Sequence, residues 1–363
     1  MLTTFHNVWD PLIGERRSIR WQVEGGFTLA PAYPEKQGRD IDGSKLWMLP
    51  ALYDADAHMP HLEFGVRQSD IMRALAGGIS RMNVAVRWQL ARTMDLVALA
   101  QDLKRHQLPK FIPLLSVSPN AESAEFPVWL RENVTVLTEH FPRLCKLYST
   151  DPNLHRNLDA LWEAGITPMV WNADDDGLAQ VVERAGNQPL HLRHATSAAM
   201  VATMRKATNA TIQTSPHFLL PIEDHKRASL TVLPPLSPIE AGRSLADIFL
   251  DEIDMIASDH NAPFYLGPPV TPGLQTQQQF LSALLTLCEI FGWPLSAMLD
   301  KATQAPAAIF GTSPPDEILL VAPDHEEVVG NWPGQTPDRA PFEGMALKGR
   351  VLAMASRERV ELV

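Results

Sequence analysis

Cysteine is nearly absent from this chain of 363 residues, which carries only Cys145 and Cys288. Two thiols are too few for a disulfide framework or a thiolate zinc cluster. A reducing cytoplasm is the expected compartment, and any metal must be held by nitrogen and oxygen ligands. Positive charge is also short, with 31 Lys+Arg against 42 Asp+Glu and a net charge of −11. That deficit excludes a general nucleic-acid or anionic-membrane surface, because phosphate binding draws on a cationic face. No apolar run approaches the roughly 20 residues of a membrane span, and the opening MLTTFHNVWDPLIGERRSIR lacks the apolar core of a signal peptide. Glycine, at 20, is outnumbered by proline, at 30, which predicts numerous stiff loops. What remains is ordinary for a folded protein: 45% hydrophobic and 20% charged residues suffice for a large core.

Short apolar runs alternate with amphipathic stretches through the middle of the chain, which is the pattern of βα units and a parallel sheet. Strands are predicted over Leu46–Asp54, Ile79–Val86, Lys110–Val117, Leu144–Ser149, Thr167–Ala173, Pro189–His194, Ala210–Ser215 and Ile253–Asp259. Helices are predicted after them, among them Met94–His106, Phe126–His140, Leu154–Ala164 and Gln277–Phe291. Eight strands each followed by a helix describe an α/β fold, a distorted (β/α)8 TIM barrel, here over residues 50–317. The ends hold β-like pieces such as Ser18–Val23, Ile318–Val321, Gly349–Ala355 and Val360–Val363. Neither end could bury a core alone, so residues 1–49 and 318–363 are expected to pair into one small β-domain.

In such a barrel the chemistry lies at the C-terminal ends of the strands. The first predicted strand runs on into Asp54-Ala-Asp56-Ala-His58, where alternate residues project to one side, so Asp56 and His58 can face one ion together. The fourth carries Lys146 between apolar neighbours, the fifth runs into Asn172, the sixth ends in His191-Leu-Arg-His194, the seventh leads to His217 and the eighth to Asp259-His260. Taken singly, His191, His217 and His260 read as hydrogen-bonded core residues, and Lys146 as a lysine reaching the surface. Taken together, an Asp-x-His pair, a lysine, a histidine and an aspartate at one rim make a site for a divalent ion with oxygen and imidazole ligands.

These segments resemble the dihydroorotases and related cyclic amidohydrolases of the amidohydrolase superfamily along almost the whole chain. Leu49-Pro-Ala-Leu-Tyr-Asp-Ala-Asp-Ala-His58 is similar to the family's opening Pro-Gly-hydrophobic-Asp-x-His-x-His strand. Cys145-Lys-Leu-Tyr148 is similar to the segment whose lysine is carboxylated to bridge two metals. His194-Ala-Thr-Ser197, Ser215-Pro-His-Phe-Leu219 and Ile256-Ala-Ser-Asp-His-Asn-Ala-Pro263 are similar to the later motifs. The resemblance implies metal-dependent hydrolysis of a cyclic amide such as dihydroorotate, in pyrimidine biosynthesis. It implies one or two ions, zinc by preference, held by Asp56, His58, a carboxylated Lys146, His194 and Asp259, with Asp259 also moving the proton. Metal coordination makes water acidic enough to serve as the nucleophile near neutral pH.

The departures from the family are chemical. Asp56 replaces the first histidine of the pair and adds negative charge. Asn172 stands for the strand-five histidine and is at best a weak ligand. Pro60 and Phe264 replace two groups that hold the substrate carboxylate, leaving Arg87, Arg193 or His61 to supply that contact. Two functions therefore follow. One is a ring-opening hydrolase; the other is a catalytically silent dihydroorotase homologue retained as a structural partner of aspartate transcarbamoylase. The expected partners are a small-molecule substrate and either a second copy of the chain or that transcarbamoylase, with no nucleic acid and no membrane.

Overall fold

Two sheets divide the chain. The computed structural model describes residues 2–22, 26–30, 38–58, 68–106, 108–171, 175–261, 272–330, 332, 335–356 and 360–363. In the first sheet β1 (Leu2–Asp10) and β2 (Glu15–Gln22) form an antiparallel hairpin. Gly14 closes the turn between them at φ +70°, a conformation that costs glycine little, and its N–H donates to Asp10 O at 2.9 Å. β3 (Gly26–Ala30) adds to β2, while β4 (Arg39–Asp42) and β5 (Trp47–Pro50) run parallel to β1.

The barrel follows, with β6 (Leu52–His58), β7 (Ile79–Arg87), β8 (Lys110–Ser116), β9 (Leu144–Tyr148), β10 (Thr167–Trp171), β11 (Leu190–Leu192) and β12 (Ala210–Thr214) side by side in sequence order. Each pair is parallel. The last segment closes the ring as two fragments: β13 (Met255–Ile256) pairs with β12, and β14 (His260–Asn261) pairs with β6. The chain ends then return to the first sheet, where β15 (Ile318–Val328) lies antiparallel to β5 and is followed by β16 (Ala346–Ala355) and β17 (Val360–Leu362). The expected architecture, a distorted barrel beside a small β-unit built from both ends of the chain, is what forms.

Two expected strands differ in detail. Leu46–Asp54 is two strands, because the chain changes sheets at Ala51: its N–H donates to Glu317 O, and the next, Leu52 N–H, to Gly78 O. Ile253–Asp259 is paired only at Met255–Ile256 before the chain turns through Asp259. The Met94–His106 helix is shorter, Leu96–Lys104, because the Asp95 carboxylate accepts the N–H groups of Val97 and Ala98 at 2.9 and 3.0 Å and fixes the start. Such a cap contributes about 1 kcal/mol. That helix buries Leu96, Leu99, Ala100 and Leu103, the i, i+3, i+4, i+7 stripe of an amphipathic helix.

Three cores result. Phe5, Val8, Ile19, Trp21 and Met48 pack with Leu320 and Ala353 from the far end of the chain, which joins the termini. A large shell between strands and helices includes Leu147, Leu158, Leu192, Ile212 and Phe249. Tyr53, Ala55, Leu114, Leu144, Met169, Met255 and Phe310 fill the barrel interior below the mouth. No described helix is long and apolar enough to cross a membrane.

Candidate active site

Strand alternation decides which side chains enter the barrel. On β9, Leu144 packs in the interior cluster while Cys145 and Leu147 join the outer shell, so Lys146 must point inward. Leu190 and Leu192 face the outer shell, which turns His191 and Arg193 inward. Ile212 does the same for Gln213. On β6 the register slips between Asp54 and Ala57, a bulge-like irregularity that re-aims the end of the strand.

Lys146, Arg193 and Gln213 meet at Asp56. Its Oδ1 accepts from Lys146 Nζ at 2.6 Å and from Arg193 Nη2 at 2.9 Å, and its Oδ2 accepts from Arg193 Nε at 2.6 Å and from Gln213 Nε2 at 2.8 Å. The Arg193 fork is bidentate, the strong geometry for a carboxylate. Asp56, Lys146 and Gln213 have no exposed surface and Arg193 only 1%. Burial alone would raise the Asp56 carboxyl, but Arg193 and Lys146 outweigh it and hold it well below the usual range. Burial lowers the Lys146 ammonium, with Asp56 opposing; the Arg193 guanidinium is raised, Asp56 outweighing burial.

Asp259 forms the opposite wall. Its Oδ2 lies 3.4 Å from His194 Nδ1 and 3.7 Å from His217 Nε2, while His194 Nε2 lies 3.9 Å from Asp56 Oδ2. Burial, and then the Asp56 charge, push the Asp259 carboxyl well above its ordinary value. Burial keeps the His194 imidazole neutral, with Arg193 adding to the effect, and lowers His217 to about 3. Burial and then Lys146 do the same to His58, whose Nε2 receives Arg193 Nη2 at 3.2 Å and whose side chain is 28% exposed at the mouth. His194 and Asp259 have φ of +58° and +50°, two of three non-glycine residues with positive φ among those described. That conformation costs an L-residue about 1–2 kcal/mol and is found where function over-determines the backbone. Asp54, two residues before Asp56 on β6, ties the closing segment to that strand by accepting Ser258 N–H at 3.0 Å, Ser258 Oγ at 2.5 Å and Gln277 Nε2 at 3.0 Å.

The structure thus brings Asp56, His58, Lys146, His194 and Asp259 together at the mouth. Arg193, expected as a substrate contact, spends Nε and Nη2 on Asp56, while its Nη1 has no hydrogen-bond partner among the described residues. Arg87 ends β7 on the same rim and is exposed. Asn172, His61, Pro60 and Phe264 lie outside the described residues. The sequence reading missed Gln213 and the inward course of Arg193, although the Leu190-x-Leu192 spacing carries the second. His191 is a satisfied core residue, bonded to Thr211 Oγ1 at 2.7 Å and Gln213 Oε1 at 3.1 Å. A cavity of about 720 Å³ opens at the other end of the strands, among Lys104, Lys110, Phe111, Arg143 and Phe310, and none of the candidate residues lines it.

Asp56, His194 and Asp259 each bring a ligand atom within 4.8 Å of the others, a group of the kind that could hold one divalent ion. Unpartnered buried atoms mark the same place: His194 Nδ1, both ring nitrogens of His217 and Ser215 Oγ have no hydrogen-bond partner among the described residues. Buried polar groups are rarely left so, and neutral imidazole nitrogens are good ligands.

Comparison with known proteins supports the fold. A D-hydantoinase structure matches with a TM-score of 0.76 at 16% identity, covering 100% of this chain and 95% of that one. L-hydantoinase (dihydropyrimidinase) from Arthrobacter aurescens matches at 0.72 and 16%, covering 99% and 97%. The inactive dihydroorotase-like domain of the Chaetomium thermophilum CAD-like multifunctional protein matches at 0.63 and 17%, covering 87% and 94%. At such identities the likeness establishes a shared fold. No family model and no curated protein matches in sequence.

Proposed function

We propose that this protein is a hydrolase that opens a cyclic amide, dihydroorotate or a ring of the hydantoin or dihydropyrimidine kind, with dihydroorotate placing it in pyrimidine biosynthesis. The observation that carries the reading is Asp259, held in a left-handed backbone conformation at the mouth, facing two neutral imidazoles and carrying a raised proton affinity. A carboxyl whose proton affinity is raised is what general acid–base chemistry needs. The fold shared with ring-opening enzymes supports the same reading.

Asp56, His194 and Asp259 would hold one divalent ion, with zinc the natural choice for two carboxylates and an imidazole. When bound it would polarise the ring carbonyl and lower the pKa of water toward about 7. Asp259 takes the proton of the attacking water and returns it to the ring nitrogen, so that a C–O bond forms, the C–N bond breaks and the nitrogen leaves protonated. An anionic group of the substrate would be met by Arg193 Nη1, by His58 or by Arg87 at the end of β7.

With Pro60 and Phe264 in the chain, dihydroorotate should turn over below the roughly 10⁴ M⁻¹s⁻¹ common for enzymes. The test is hydrolysis of dihydroorotate, hydantoin and dihydrouracil with zinc supplied, comparing the wild type with Asp259→Asn. Turnover of one ring that disappears in the variant is expected. Inactivity on all three, with co-purification of a transcarbamoylase, would hand the protein to the scaffold reading.

A further inference from the structure

We propose that Asp56, Lys146 and Arg193 form a built-in charge network that takes the place of a lysine carbamate and of a second ion, so that Lys146 stays unmodified and the centre holds no more than one ion. This deepens the metal part of the function proposed above and rests on that part alone.

The resemblance noted from the sequence pairs a neutral histidine at position 56 with a carboxylated lysine at position 146. Here the anion stands on the other partner. A carbamate on Lys146 would set its negative charge against a carboxylate oxygen that now lies 2.6 Å from Nζ, in a place without exposed surface. Like charges at that distance and depth repel strongly, whereas an ammonium there forms an ion pair. One residue exchange, histidine to Asp56, therefore moves the anion from the modified lysine to the first strand.

Arg193 completes the exchange. A carboxylate offers about four lone-pair positions. Those of Asp56 are taken by Lys146, by two nitrogens of Arg193 and by Gln213. The guanidinium occupies the centre of the constellation, within 3.2 Å of His58 Nε2 as well, and is fixed there by strand alternation rather than by a mobile loop. A guanidinium cannot lose its proton and cannot ligate a cation, so an ion bridging Asp56, His58 and Lys146 would have to displace it. The single-ion group Asp56, His194 and Asp259 lies on the other side of the hub and needs one Asp56 contact released.

The test equilibrates the purified chain with ¹³C-bicarbonate and excess zinc, then reads the carbamate ¹³C resonance and the zinc content per chain. No carbamate signal and at most one zinc per chain is expected; a carbamate signal, or two zinc ions per chain, would overturn the inference. Lys146→Met supplies an independent arm. If Lys146 is no ligand, its removal frees one lone-pair position on Asp56 Oδ1, which Arg193 Nη2 still shares, and zinc should bind as tightly or more tightly. Zinc affinity weakened by tenfold or more, about 1.4 kcal/mol, would show that Lys146 is part of the ion's coordination. A chain that passes both arms yet opens no ring leaves this inference standing and removes the hydrolase reading.

Discussion

Removing the Asp56 carboxylate should be among the most destabilising single changes in the barrel. Asp56→Ala strands two cations that have 0 and 1% exposure and erases four hydrogen bonds of 2.6 to 2.9 Å. Breaking a buried ion pair by deleting one partner costs roughly 3–5 kcal/mol. Two stranded cations would double that, but lysine can shed its proton where arginine cannot, so about 5 kcal/mol is expected. That is a third or more of a typical total of about 5–15 kcal/mol. Removing all the charges, as Asp56→Ala/Lys146→Met/Arg193→Met, should restore most of the loss, because apolar replacements of a buried ionic cluster are often neutral. Urea unfolding at pH 7, followed by the fluorescence of the nine tryptophans, gives the midpoint and slope of each variant. A single variant that loses less than about 1 kcal/mol, or a triple variant no more stable than the single, would refute the reasoning, since neither is compatible with strongly coupled buried charges.

Asp54→Ala should cost about 3 kcal/mol or more, since three donors lose their acceptor at about 1–3 kcal/mol each; hydrogen exchange should rise at residues 257–260, and unchanged exchange there would show that Asp54 does not hold the closing segment. Burial depresses His191 to about 4, against about 6.5 when unfolded. The unfolded chain then binds a proton that the native chain refuses, so this contribution is complete above about 6.5 and is lost as pH falls toward 4, at most about 3 kcal/mol. His191→Gln should flatten that acid limb of the stability curve, and an unaltered limb would place the effect elsewhere.

Much of the barrel could be read from the chain because each strand carries its own outward leucines, isoleucines and valines, and the helices their own apolar stripes. The same alternation points Lys146 into the barrel. The bond between Asp56 and Arg193 was hidden for a different reason. It joins residues 137 apart, and nothing in either segment shows that the two inward side chains arrive at the same height. The split of the last strand was hidden too, because its two halves pair with strands at opposite ends of the sheet order, and the turn at Asp259 is set by that closure rather than by local preference. β1 is polar in sequence yet buried at five of its nine residues, against partners that come from both chain ends. Asp56, His194 and Asp259 could each be named from the chain, whereas the bonds that Lys146 and Arg193 make to Asp56 became legible only once their neighbours were in place.

The most direct measurement is ring-opening rate against zinc equivalents added to the chelated chain, with bound zinc determined on the same samples. The rate should rise with occupancy, level off at no more than one zinc per chain and vanish in Asp259→Asn. A chain that binds no zinc and opens none of the rings, or one whose rate climbs until two ions are bound, would contradict that expectation.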